Sequence, residues 1–136
     1  MIYKKSCGFV AYKEIENERL YLIVRTSNGE YGFPKGHVEN NETEHETAIR
    51  EIREETALCV EFVDHFREVI TYSPKPECMK DVVFFLARMS GGELTCQPEE
   101  VQEAWFAPYD EAIQSITHAS DCEVLKKAEQ FLNCGN

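Results

Sequence analysis

The sequence predicts an α/β fold: a mixed β-sheet covered by helices on both faces. Three observations predict it. Residues 19–25 (RLYLIVR) and 81–89 (DVVFFLARM) are short, near-continuous apolar runs of the kind found in strands buried on both sides. Residues 43–56 carry helical rather than alternating periodicity, and two further helical segments close the chain after a last strand. Strands, a helix, more strands and terminal helices are the order expected of a layered sandwich.

Residues 7–12, apolar and aromatic, form the first strand, and 14–18 are polar and turn-like. The second strand is 19–25. Asn28-Gly29 and Gly32 mark a loop that Pro34-Lys35-Gly36 extends. The clearest helix is 43–56, followed by a long, bent strand over 60–72. Residues 73–77 contain two prolines and read as a loop. Strand 81–89 ends at the Gly91-Gly92 turn, and 101–107 form a short strand. Helices follow over 109–116 and 120–133. No repeat or linker divides the chain, so 1–136 is expected to be a single domain.

Net charge limits the partners. At −11, the chain repels the backbone of long nucleic acids, which argues against a polymer partner. A small anionic substrate is compatible if a divalent cation neutralises both sides. No run approaches the roughly 20 apolar residues of a membrane span. Met1-Ile2-Tyr3-Lys4-Lys5 leads into no apolar signal core, so the default expectation is a cytoplasmic monomer or weak homodimer. Cys7, Cys59, Cys78, Cys96, Cys122 and Cys134 form no CxxC pair and are read as reduced thiols.

On helix 43–56, Glu51, Glu54 and Glu55 fall at i, i+3 and i+4, so three carboxylates share one face. Such crowding costs a helix a few tenths of a kcal/mol per pair, roughly. A solvated surface helix can show the same face. A helix that binds a hard cation gains from it, because such cations take carboxylate oxygens. Ala48, Ile49 and Ile52 form a separate apolar stripe that docks the helix on the sheet.

The segment 36–58 (GHVENNETEHETAIREIREETAL) resembles the signature of the Nudix hydrolase family. Gly36 is followed after five residues by Glu42, and after seven more by Arg50-Glu51. Ile52, Glu54-Glu55 and Leu58 complete the match, and Ala57 stands where the family has Gly. That Ala either pays for a left-handed turn or gives the turn another shape. The resemblance implies a Nudix-type α/β/α sandwich with a mixed β-sheet, and hydrolysis of a diphosphate linkage with Mg²⁺, or alternatively Mn²⁺, as cofactor. It implies Glu51, Glu54 and Glu55 as metal ligands, one of them possible base, with the Lys35 carbonyl joining them. Arg50 would orient a glutamate by bidentate pairing, and Glu42 would support the loop. A further acid would come from Glu100 or Glu103 before Trp105, Glu100 being favoured. Trp105 itself reads as core.

Within the family, residues 29–39 look like the W-x-F-P-K-G-H-x-E stretch of bis(5'-nucleosyl)-tetraphosphatases, with Tyr31 in place of Trp. This implies cleavage of diadenosine tetraphosphate to ATP and AMP. Lys35 and His37 would contact phosphates, Tyr72 would stack on a purine, and Lys75 or Lys80 would meet a phosphate. The rival enzyme is a MutT-like pyrophosphatase acting on damaged or modified nucleoside triphosphates. The rival from another class is a non-catalytic nucleotide-binding module, against which the intact Arg50, Glu51, Glu54 and Glu55 argue.

Overall fold

The computed structural model describes residues 1–97, 99 and 101–134. Strand β1 (Ile2–Ile15) is its axis. It runs parallel to β6 (Cys78–Gly91), from Ile2 opposite Cys78 to Tyr12 opposite Arg88. Its far end forms a hairpin with β2 (Glu18–Thr26), and the two turn residues, Glu16 and Asn17, both take positive φ (51° and 69°). That left-handed pair matches the twist of a tight hairpin. Strand β2 also pairs with β7 (Val101–Pro108) and β3 (Tyr31–Gly32). The short β4 (Lys35–His37) lies against the start of β1, Ser6 facing His37 and Gly8 facing Lys35. Strand β5 (Cys59–Lys75) pairs with β6 and ends the strand order β3-β2-β1-β6-β5.

Alternation divides the apolar side chains of the sheet between two cores. Phe9, Leu22, Val83 and Phe85 face helix α1 (Glu44–Thr56), which contributes Ala48 and Ile52. Val10, Ile23, Phe84 and Leu86 face α2 (Tyr109–Ser115) and α3 (Ala119–Cys134), which contribute Ala112, Val124, Leu125 and Ala128. The result is the expected α/β/α sandwich around a mixed sheet. No described helix is long and apolar enough to cross a membrane.

Helix α1 is bounded by explicit caps. Thr43 accepts from the Glu46 amide while the Glu46 side chain accepts from the Thr43 amide, a reciprocal capping box. At the other end Ala57 takes φ 64° and donates its amide to the Arg53 carbonyl, 2.8 Å away. Alanine therefore adopts the left-handed turn that glycine would otherwise supply.

Three segments differ from the sequence reading. Strand β1 starts five residues earlier, because Ile2–Lys5 find partners on β6. Two short strands, β3 and β4, occupy the loop expected between 28 and 36. The loop expected over 73–77 shrinks to a hairpin turn at Pro76-Glu77, with Glu77 at φ 63°. Pro74 is tolerated inside β5 because β5 is an edge strand, where a missing donor costs no ladder bond. The expected bend in β5 has a local cause: a register shift between Val63 and Arg67, with His65 at φ 74°.

Candidate active site

Helix α1 turns its acidic face towards β4. Between them lies a cleft of ≈ 340 Å³, lined by Thr26, Lys35–His37, Glu39, Arg50, Glu51, Glu54 and Glu55. Glu51 and Glu55 are 8% and 5% exposed, while Glu54 faces solvent. The glycine that opens the motif has a steric reason. A Cβ on Gly36 would lie 1.8 Å from Glu51 Oε1, so only a hydrogen there lets this carboxylate come up against the strand.

Arg50 ties the helix to the preceding loop. Its Nε and Nη2 donate to the two oxygens of Glu42, at 2.7 and 2.9 Å, a bidentate pairing. Its Nη1 donates to Glu51 (3.1 Å) and Glu54 (2.9 Å), and Nη2 also donates to the His37 carbonyl at 2.9 Å. Glu42 further accepts from the Glu39 amide and the Thr47 hydroxyl. The Arg50 hydrogen bonds, followed by that from the Glu39 amide, hold the Glu42 carboxyl down at about 2. Glu42 is thereby committed to structure.

The donor set suits a hard divalent cation: three carboxylates, two of them mostly buried, beside a strand trimmed to glycine. Among the described residues no three acidic, histidine or cysteine groups already converge at metal-ligand distance. Instead Arg50 Nη1 draws Glu51 and Glu54 together.

Lys35 lines this cleft and also a second, larger cavity of ≈ 560 Å³. Tyr72, 43% exposed, lines the second cavity with Ile70, Pro74 and Val82. Lys80 is the register partner of Tyr72 on one side and of Lys4 on the other. Burial first, then the charges of Lys35 and Lys4, push the Lys80 ammonium down from its usual range. Burial, then Lys80, Lys4 and Lys35, lower His37 likewise. The expected phosphate contacts Lys35, His37 and Lys80 thus share one electropositive region, joined by Lys4. Lys75 ends β5 opposite Cys78 and is not in the cavity lining.

Glu100 lies outside the described residues. Glu103 borders a separate surface hollow with Tyr31, Trp105 and Ser115. Trp105 packs edge-on against Tyr31 at 5.7 Å and donates to Glu111 at 3.3 Å. Asn28, Glu30, His118, Ser120 and Asp121 also line the larger cavity, and none of them was read from sequence as a site residue. Glu30 pairs with His118, and Thr117 exchanges two hydrogen bonds with the Tyr31 backbone, fastening the β2–β3 loop to the start of α3.

The sequence model of the NUDIX domain matches residues 8–126, and the chain belongs to that family. The bis(5'-nucleosyl)-tetraphosphatase [asymmetrical] of Sus scrofa is 28% identical, over 94% of this chain and 95% of the relative. An 8-oxo-(d)GTP phosphatase of Mycolicibacterium smegmatis is 31% identical, over 78% of this chain but 32% of the relative. Among solved structures, a C. elegans Ap4A hydrolase in a binary complex superposes with a TM-score of 0.88 at 26% identity, covering 96% of this chain and 98% of that one.

Proposed function

We propose that this chain, acting as a single catalytic domain, hydrolyses dinucleoside tetraphosphates asymmetrically, diadenosine tetraphosphate giving ATP and AMP. The observation that carries the reading is the position of Lys35, which lines both the carboxylate cleft and the Tyr72 cavity. A substrate with a nucleoside in the larger cavity would extend its phosphates past Lys35 towards Glu51, Glu54 and Glu55. The full-length similarity to the tetraphosphatase of Sus scrofa supports the same choice.

Glu51, Glu54, Glu55 and the Lys35 carbonyl would hold a divalent cation, which would supply charge neutralisation and a more acidic water. The chain's own groups do the rest. Lys35, Lys80 and Lys4 offset phosphate charge, and Tyr72 offers a ring face to a purine. Arg50 holds Glu51 and Glu54 in place, and one glutamate of the cluster accepts the proton of the attacking water.

The test is product analysis with diadenosine tetraphosphate and a panel of nucleoside triphosphates, Mg²⁺ present. ATP plus AMP, formed faster than any triphosphate is consumed, is the expected result. Faster release of pyrophosphate from a modified triphosphate would move the substrate to the MutT-like reading, which the Mycolicibacterium smegmatis relative favours. Glu54→Gln and Glu55→Gln should each lower turnover by about a hundredfold or more with an unchanged melting temperature. Normal turnover in both would remove the metal-site assignment.

A further inference from the structure

The larger cavity contains an acid that the hydrolytic chemistry leaves unused. Asp121 stands in the first turn of α3 and lines this cavity with Tyr72 and Lys35. It is 8% exposed, and among the described residues no donor hydrogen-bonds its carboxylate. Gly32 leaves room for it, since a Cβ there would lie 3.2 Å from Asp121 Oδ2. Burial raises its pKa, Lys35 and His118 act against that rise, and Glu30 adds to it. Its oxygens open onto the cavity, so a ligand that fills the cavity and displaces water there must bring a donor to them or leave them unsatisfied.

The charges orient that ligand. Phosphates are repelled by Asp121 and Glu30 and attracted to Lys35 and Lys80. The end of the cavity at Asp121 is therefore left to the uncharged part of a nucleotide, its base. A carboxylate accepts hydrogen bonds, and adenine presents an exocyclic amine. Hypoxanthine carries a carbonyl at the same position, which would oppose oxygen to oxygen.

We propose that Asp121 is a specificity-determining residue whose carboxylate accepts from the exocyclic amine of a base lying on Tyr72, so that adenine is taken and hypoxanthine refused. The inference rests on the reading of the site as one for nucleoside polyphosphates. Its test does not require turnover. The intact protein is titrated with AMP and with IMP and followed by NMR, which resolves weak binding. AMP is expected to bind about tenfold more tightly than IMP. Asp121→Asn, whose amide can both donate and accept, should bring the ratio close to unity while leaving the fold intact. Asp121→Leu should weaken AMP alone, and if it does not fold, the asparagine variant decides. Equal binding of AMP and IMP by the parent protein, a ratio unchanged in Asp121→Asn, or no binding of either nucleotide would overturn the proposal. A tenfold preference that Asp121→Asn abolishes, in a protein that does not cleave diadenosine tetraphosphate, would support Asp121 and sink the tetraphosphatase reading instead.

Discussion

Glu42 and Gly36 are placed by contacts that single substitutions can probe. The Glu42 carboxyl falls from an ordinary 4.5 to about 2 in the fold. A carboxylate with a depressed pKa stabilises the fold fully above its unfolded value, and that contribution disappears as pH falls through the folded value. Glu42→Gln should therefore be less stable than the parent at pH 6, with the gap closing between about 4.5 and 2, followed by urea unfolding across that range. A gap that stays constant down to pH 2 would mean that packing, not charge, carries the Arg50 contact. Gly36→Ala should displace the Glu51 carboxylate and cost about 1–3 kcal/mol as an overpacked site. It should also depress turnover more steeply than stability, and comparing activity with urea midpoints checks both. At this scale the α1 cluster was legible, because three carboxylates at helical spacing are neighbours by local geometry alone. Lys4 and Asp121 were not. Lys4 reaches the site only through its parallel register with Lys80, and a lone acid in a helical pattern carries no signal until the cavity beside it exists.

At the level of elements, helix α1 and the strands carrying the two cores were readable from periodicity and apolar runs. The misreadings occurred where tertiary position overrides local preference. Two prolines look like a loop, yet an edge strand accepts them. A start as charged as Lys4-Lys5 does not look like a strand until β6 lies beside it. The C-cap of α1 offers a direct test. Ala57 holds a left-handed φ of 64°, a conformation that glycine adopts without steric cost. Ala57→Gly should raise stability by about 0.5–1 kcal/mol, or about 3–5 °C in thermal melting, with kcat unchanged. A lower melting point would show that the added freedom of the unfolded chain outweighs the relieved strain. The neighbouring Gly92 has no such latitude, since a Cβ there would meet the Ala57 carbonyl at 2.5 Å.

Over the whole molecule, charge is distributed unevenly. The chain carries −11 overall, yet Lys4, Lys35 and Lys80 gather at one place on it. A polyanionic substrate approaching that place feels the local cations, and screening shortens their reach to about 8 Å at physiological salt. At saturating Mg²⁺, kcat/KM should therefore fall as monovalent salt rises, and Lys80→Met should flatten that dependence while leaving kcat nearly unchanged. A kcat/KM indifferent to salt would deny the cluster any part in capture. The parallel pairing of β1 with β6 has a consequence in time. Cys7 and its partner Val83 are about 76 positions apart. At roughly 5–20 residues per second of synthesis, the strand at the centre of the sheet waits several seconds for the neighbour that completes it. Until then β1 has only its hairpin with β2 and the short β4 beside it, and Phe9, Val10 and Ala11 lack the β6 edge they pair with, so a nascent chain paused before β6 presents that open edge to whatever chaperone or aggregate is nearest.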